Sequence, residues 1–147
     1  MSVLLPPGYT AIQPDSVDGF GDVIGPVFLD NVGRRLSFLV RNEHRNINGF
    51  CHGGALALFA DCQVAVVRDS IPALIGHTPT ISLKIDYIAP VPIGELIEMQ
   101  VTLVRYTRSM LFTQGIMTVG GTTVGRTDAI YRWYAVKTNP GNEDASE

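Results

Sequence analysis

The second half of the chain alternates between apolar and polar residues, which is the pattern of strands that bury one face. In the runs 81–87 and 97–103 the odd-numbered residues are apolar or aromatic and the even-numbered ones are polar. Two further β-rich runs, 111–119 and 124–136, meet at Gly120-Gly121, a dipeptide that tolerates the positive φ of a tight turn. The pattern predicts four antiparallel strands, with the odd-numbered residues of the first two facing a core.

A β-hairpin is predicted earlier in the chain. Two apolar stretches, 27–29 and 36–40, are separated by the turn-forming residues 30–33. The hairpin brings the expected number of strands to about six. Three aromatic residues near the end of the last strand are expected in the core or in an interface: Tyr131, Trp133 and Tyr134.

Between the hairpin and the later strands lies a segment without period-two alternation. Eleven of the thirteen residues from 55 to 67 are apolar, the exceptions being Asp61 and Gln63. This composition predicts one buried helix from about 53 to 69 that is apolar on all faces and must be covered on most sides. We therefore expect an α+β fold in which a curved antiparallel sheet of about six strands wraps around one long central helix.

The length and charge of the chain narrow the class of protein. The 147 residues suit a single domain spanning 1–147, with an ordered core at about 8–137 and a polar tail at 139–147. Because the net charge is −3 and the 11 basic residues are scattered, nucleic-acid binding is not expected. No signal peptide or membrane-spanning run is visible, so we expect a cytoplasmic protein without a membrane partner. Cys51 and Cys62 lack metal-ligand spacing and are expected to be reduced, with no bound metal.

The first candidate for chemistry is the start of the predicted helix, where Gly53 and Gly54 follow His52. Backbone N–H groups there, with no Cβ in the way and the positive end of the helix dipole behind them, suit an anion or a developing oxyanion. The alternative is that His52 and the glycines only cap and pack the helix.

The second candidate is Asp61, a carboxylate within the apolar helix. A buried charge normally has a partner or a task, and the alternative here is an aspartate held by hydrogen-bond donors for subunit specificity. Gly53 and Asp61 lie eight residues apart, or about 12 Å along one helix. One copy therefore cannot complete a site from both. Two helices packed antiparallel would bring Asp61 of one copy toward Gly53 of the other, giving two sites per symmetric dimer.

Taken together, these motifs resemble those of a known family. Asn46-x-x-Gly49-x-x-His52-Gly53-Gly54-x6-Asp61 is followed by the strand 80–87, by Pro90 and by Gly94-Glu95-Leu96. From about residue 20 to 137 the sequence resembles the hotdog-fold acyl-CoA thioesterases, in particular the PaaI-like (phenylacetic acid degradation) branch of the 4-hydroxybenzoyl-CoA thioesterase superfamily.

The resemblance implies a thioester hydrolase that acts on an acyl-CoA with an aromatic, medium or long acyl group, as a homodimer or homotetramer with shared sites. It implies no cofactor, since coenzyme A is part of the substrate. By position, Gly53 matches the oxyanion-hole glycine and Asp61 the catalytic acid. Asn46 matches a polar residue near the thioester carbonyl and water, and Thr80 a hydroxyl close to the acid.

Several roles stay open at this point. Asp61 could act as a general base on water or as a nucleophile that forms a mixed anhydride. His52 and Gly54 are expected to contact the substrate or orient the loop, and Arg105 and Arg108 are candidates for the coenzyme A phosphates. The alternative function is a non-catalytic hotdog module that binds acyl-CoA or an acyl carrier.

Overall fold

The computed structural model describes residues 7–12, 19–74 and 76–134. Its frame is a seven-stranded antiparallel sheet in the order β1-β2-β3-β5-β6-β7-β4. The strands are β1 (Thr10–Ala11), β2 (Val27–Asp30), β3 (Arg35–Leu39), β4 (Thr80–Tyr87), β5 (Leu96–Tyr106), β6 (Met110–Val119) and β7 (Thr122–Arg132). The helices are α1 (Phe20–Ile24), α2 (Gly53–Asp61) and α3 (Gln63–Val67), with 3-10 turns at Asn42–His44 and Arg68–Ser70.

All six predicted strands are present and the α+β prediction is confirmed. The structure adds β1, which pairs with the outer side of β2, and the five-residue helix α1. Neither element is visible in the sequence, because elements this short show no hydrophobic periodicity. The polar tail predicted at 139–147 lies outside the described residues.

The helix covers one face of the sheet with its larger side chains. Leu56, Phe59 and Val66 are buried in one cluster with Phe38 and Met99 from β3 and β5. The rings of Phe38 and Phe59 stack with centroids 5.6 Å apart. Because apolar side chains from the helix and the sheet interdigitate here, the position of the helix is set by the strands.

The predicted single helix at 53–69 is interrupted at Cys62, where the backbone has φ −75° and ψ 0°. The Tyr131 hydroxyl donates a hydrogen bond to the carbonyl oxygen of Asp61 at 2.7 Å. The Ala65 N–H, which would bond that carbonyl in a regular helix, bonds the Cys62 carbonyl instead at 3.0 Å. A side chain inserted into the helical ladder is a recognised cause of such a break. Asp61 is therefore the last residue of α2.

The strand β4 departs from the predicted alternation at its start. A register shift lies between Thr80, opposite Tyr131, and Ser82, opposite Ile130. Ile81, expected to face the core, is 55% exposed, while Leu83 follows the expected pattern and packs against the core. A bulge re-aims the side chain beside it, and here it turns Thr80 toward the face that carries the helix.

The aromatic residues near the end of β7 divide between core and surface. Tyr131 and Trp133 are buried, as expected, and the Trp133 indole N–H donates to the carbonyl of Thr107. Tyr134 is 55% exposed. Among the described residues no helix is long and apolar enough to cross a membrane.

Replacing Tyr131 with Phe should destabilise the fold by about 1 kcal/mol, because the hydroxyl that holds the Asp61 carbonyl at the helix break is lost. Urea unfolding of the wild type and of Tyr131→Phe measures this difference. Tyr134→Phe removes an exposed hydroxyl from the same segment and serves as the control. Equal stability of all three proteins would show that the hydroxyl does not maintain the break.

Candidate active site

The loop before α2 is closed on itself by Asn46. The Asn46 side-chain oxygen accepts hydrogen bonds from the N–H groups of Asn48 at 2.9 Å and Phe50 at 3.1 Å. Its backbone N–H bonds the Phe50 carbonyl, and Gly49 turns the chain with φ +85°. The Asn46 Nδ2 group makes no hydrogen bond to the described part of the chain. Its amide donors therefore remain available next to the helix start.

The first turn of α2 is capped by His52. The His52 Nδ1 atom accepts a hydrogen bond from the Gly54 N–H at 2.8 Å, which satisfies one of the free donors of the first turn. A Cβ on Gly54 would lie 3.1 Å from the same nitrogen, which explains why glycine suits this position. That His52 and Gly54 contact the substrate or orient the loop stays a prediction. The structure shows them bonded to each other as a helix cap.

Gly53 differs from the other residues in the first turn. The N–H groups of Ala55 and Leu56 bond the His52 carbonyl, and that of Gly54 bonds the His52 ring. Within the described residues, the Gly53 N–H has no acceptor. The sequence predicted free N–H groups on both glycines, whereas in the described structure only the Gly53 N–H is free.

Tyr87, at the end of β4, is a neighbour of this turn that sequence reasoning treated only as a strand residue. Its hydroxyl donates to the Gly53 carbonyl at 3.0 Å, and its ring lies 3.4–3.5 Å from the position of a Gly53 Cβ. The side chain is 56% exposed. The signal in the sequence was a large aromatic residue at the end of an amphipathic strand. Its contact with Gly53, 34 residues earlier, arises only in the tertiary structure.

These groups border one open groove of about 570 Å³. Its lining includes Asn46, Cys51, Gly53, Leu56, Tyr87 and Pro90. We call the residues Asn46, His52, Gly53, Gly54 and Tyr87 the N-terminal half-site.

At the other end of α2, Asp61 meets Thr80. The Thr80 hydroxyl donates to the Asp61 carboxylate at 2.7 Å, a pairing that follows from the bulge in β4. The sequence led us to expect a buried carboxylate, but Asp61 is only partly buried and Thr80 is exposed. The outer face of α2, which carries this carboxylate, is not covered by the sheet. We call Asp61, Thr80 and Tyr131 the C-terminal half-site.

The ionisation of the groups near Asp61 is set by burial. Burial raises the pKa of Tyr131 and the Asp61 charge raises it further, so the hydroxyl stays protonated and donates. Burial, with a smaller contribution from Asp61, raises the pKa of the Cys62 thiol to about 11. Burial alone raises that of Cys51 to about 11. Both cysteines are free thiols, as predicted, and neither is a thiolate nucleophile near neutral pH.

The two half-sites stay apart within one protomer. Gly53 and Asp61 are the first and last residues of the nine-residue helix α2, which separates them by about 12 Å along its axis. In the residues that the structure covers, no cluster of three His, Cys, Asp or Glu side chains could hold a metal ion.

The candidate phosphate-binding arginines lie at the Thr80 end of the sheet. Arg105 belongs to strand β5, and Arg108 lies in the turn that follows it. Both side chains are exposed. Tyr106 lies opposite Leu111, Leu111 opposite Tyr131, and Tyr131 opposite Thr80. The arginines therefore lie at the same end of the strands as the C-terminal half-site. The structure does not bring either arginine to Gly53 of the same chain.

An apolar cavity of about 320 Å³ lies on the β1 side of the helix. Leu58 and Cys62 line it from the helix, and they flank Asp61 in sequence. The opposite wall comes from β1, α1 and the start of β2 through Ala11, Gly21 and Val27, together with the linking residues Ile12, Gly25 and Pro26. Sequence reasoning could not find this cavity because β1 and α1 were not predicted.

Solved structures with this fold include several thioesterases. A mutant of the phenylacetic acid degradation protein PaaI from Thermus thermophilus is 22% identical, with a TM-score of 0.59 over 67% of this chain and 82% of that one. A hypothetical thioesterase from Streptococcus pneumoniae, solved with coenzyme A, is 20% identical, with a TM-score of 0.62 over 69% and 77%. A Streptococcus mutans protein bound to acetyl CoA is 18% identical, with a TM-score of 0.62 over 69% and 80%. The resemblance to the PaaI-like hotdog fold is thereby confirmed.

No curated protein matches the sequence significantly. A family model described as the thioesterase superfamily matches residues 48–125, which is more than half of the chain and contains Gly53, Asp61 and Thr80. The prediction of a thioester hydrolase is confirmed at the level of the family, and the chain belongs to the thioesterase superfamily.

Proposed function

We propose that this protein hydrolyses an acyl-CoA to a carboxylate and coenzyme A, with Asp61 and the Gly53 N–H of a second protomer forming each active site. The observation that carries the proposal is the pairing of two features on one helix. Its N-terminus presents a backbone donor, and its last residue presents a hydroxyl-bonded carboxylate on the uncovered face.

The Gly53 N–H is suited to the oxyanion of a tetrahedral intermediate. It lies at the positive end of the helix dipole, and the groove in front of it is open to a substrate. A donor already held in place stabilises charge that develops during the reaction without having to reorganise. The Asn46 amide borders the same groove and would donate to the thioester carbonyl or to the attacking water.

Asp61 has the geometry of a general base or of a nucleophile. As a base, its carboxylate takes a proton from water and the hydroxide adds to the thioester carbon. The C–S bond then breaks, and the coenzyme A thiolate takes the proton back from Asp61. As a nucleophile, it forms a mixed anhydride that water then hydrolyses. In both routes the Thr80 hydroxyl, 2.7 Å from the carboxylate, orients the reacting group.

A homodimer would complete the site through β4. This eight-residue strand pairs with β7 on one side and is the edge of the sheet on the other. Ile81 and Ile88 are each more than half exposed near its two ends. A long edge strand with exposed apolar side chains invites pairing with another strand. A two-fold axis through β4 would set the helices of two protomers antiparallel and bring Asp61 to the partner's Gly53.

Coenzyme A as the leaving group is supported by two relatives of the same fold, one solved with coenzyme A and one bound to acetyl CoA. In this chain the exposed guanidinium groups of Arg105 and Arg108 lie at the Thr80 edge, where they could bind phosphate oxygens. Arg126 is less suited, since it is ion-paired with Asp86 at 2.6 Å.

We assign the acyl group to the cavity beside Leu58 and Cys62. Its lining is mainly apolar, and the helix brings it within one turn of Asp61. Since a cavity of about 150 Å³ accommodates benzene, a volume of about 320 Å³ suits one aromatic ring with a linker or a medium-length chain.

Asp61→Asn should fold normally, because Thr80 can still donate to the amide oxygen, and should lose about 10²- to 10⁴-fold in kcat. Asp69→Asn, on an exposed 3-10 turn, is the matched control and should retain full activity. Free thiol released from a panel of aromatic and aliphatic acyl-CoAs gives the rates. Undiminished turnover by Asp61→Asn would remove this residue from the mechanism. Saturable binding without turnover by the wild type would favour a non-catalytic binding module.

A mixture of two inactive variants tests the shared site. Gly53→Pro deletes the N–H at the first helical position, where proline is tolerated, and His52 already has the extended conformation that a following proline favours. When Gly53→Pro and Asp61→Asn are unfolded together and refolded, heterodimers should each contain one intact site. About a quarter of the wild-type activity should return for random pairing. No recovery, with heterodimers verified by mass spectrometry, would mean that each site belongs to one chain.

Leu58→Trp should shift acyl-chain preference by filling the cavity. Turnover of acyl groups larger than about four carbons should fall at least tenfold in kcat/KM, while acetyl-CoA turnover should change little. Leu58→Ala enlarges the same cavity and should favour longer chains. Measuring kcat/KM across a chain-length series decides the point. An unchanged profile in both variants would place the acyl group elsewhere.

A further inference from the structure

The peptide group between Gly53 and Gly54 is held from both sides. Its carbonyl oxygen accepts the Tyr87 hydroxyl at 3.0 Å, and its N–H donates to His52 Nδ1 at 2.8 Å. The two partners come from different elements, since Tyr87 ends β4 and His52 precedes α2. One peptide plane is therefore fixed by two side chains that are 35 residues apart in sequence.

This double attachment compensates for the flexibility of two consecutive glycines. Glycine has the largest backbone freedom of any residue, and the first turn of a helix has few internal hydrogen bonds. The Gly53 N–H lies on the preceding peptide, whose His52 carbonyl accepts the Ala55 and Leu56 N–H groups. Holding the following peptide as well restrains both backbone torsions of Gly53, and so the place of its N–H relative to β4. A donor that stabilises an oxyanion is effective only when its direction is set before the reaction.

We propose that Tyr87 is a positioning residue, which fixes the backbone of Gly53, and with it the place of the Gly53 N–H in the groove, by holding the carbonyl of the same residue. The inference rests on the proposed function, because it assigns Tyr87 to the oxyanion donor of that site. Tyr87 acts through Gly53. Its hydroxyl donates to the Gly53 carbonyl, and its ring lies beside the position that a Gly53 Cβ would take.

The ring and the hydroxyl have separable contributions. The ring packs at 3.4–3.5 Å over the position where a Gly53 Cβ would lie, so it limits how far the helix start can move toward β4. The hydroxyl fixes the rotation of the peptide plane between Gly53 and Gly54. Tyr87→Phe removes only the second contribution and keeps the packing of the first.

The experiment compares Tyr87→Phe with the wild type in kcat, KM and amide hydrogen exchange. Loss of one hydrogen bond that acts on the transition state should lower kcat about five- to tenfold, with KM and the melting temperature nearly unchanged. The Gly54 amide should exchange several times faster. Tyr106→Phe removes an exposed tyrosine hydroxyl on β5 and should change neither kcat nor the exchange of the Gly54 amide.

A double-mutant cycle with His52→Ala adds a readout that a purely structural role would not produce. Because both side chains hold one peptide, the loss in the double variant should be smaller than the product of the two single losses. Multiplied losses, or a Tyr87→Phe variant with wild-type kcat and Gly54 exchange, would overturn the proposal. Failure of the proposed function itself is distinguishable, since the wild type would then release no thiol or Asp61→Asn would remain active.

Discussion

The structure depends on burying a helix that has apolar residues on nearly every side. Leu56, Phe59 and Val66 cannot face water without a large cost, and the sheet covers them through β3, β5 and neighbouring strands. Once that face is buried, the opposite face is determined by the helical period, and it carries Asp61. The packing of the core therefore decides which side of the helix remains open for chemistry.

One strand connects both ends of this helix to the sheet. β4 contributes Thr80 to the carboxylate at the end of α2 and Tyr87 to the carbonyl at its start. Without the bulge between Thr80 and Ser82 the two side chains would point to opposite faces of the strand, since they are seven positions apart. Since β4 is also a free edge of the sheet, its pairing with a second copy would reach both half-sites through the same strand.

The interruption at Cys62 gives Asp61 its particular environment. Tyr131 takes the Asp61 carbonyl, and the buried Gln63 side chain donates to the carbonyl of Ala60 and to Thr127. Two helical carbonyls are thus bonded by side chains at this point, and the main-chain ladder tightens there. The carboxylate is consequently attached to a well-restrained backbone while its own oxygens have one described protein donor, Thr80, which leaves room for water or substrate.

The sequence by itself determined the central helix and the six longer strands, because these depend on periodicity. It also indicated candidate residues for chemistry, because some residue types are costly to bury without a purpose. It also showed that Gly53 and Asp61 lie too far apart along one helix to act together. The tertiary structure decided which of the two glycines keeps a free N–H, that Asp61 is partly exposed, and that Ile81 points outward while the exposed Thr80 turns toward the helix. Each of these depends on contacts between distant segments: the His52 cap and Tyr87 at the helix start, Tyr131 at the break, and the β4–β7 register at the bulge. Local pattern carries no information about such contacts, since they arise only when the strands and the helix meet.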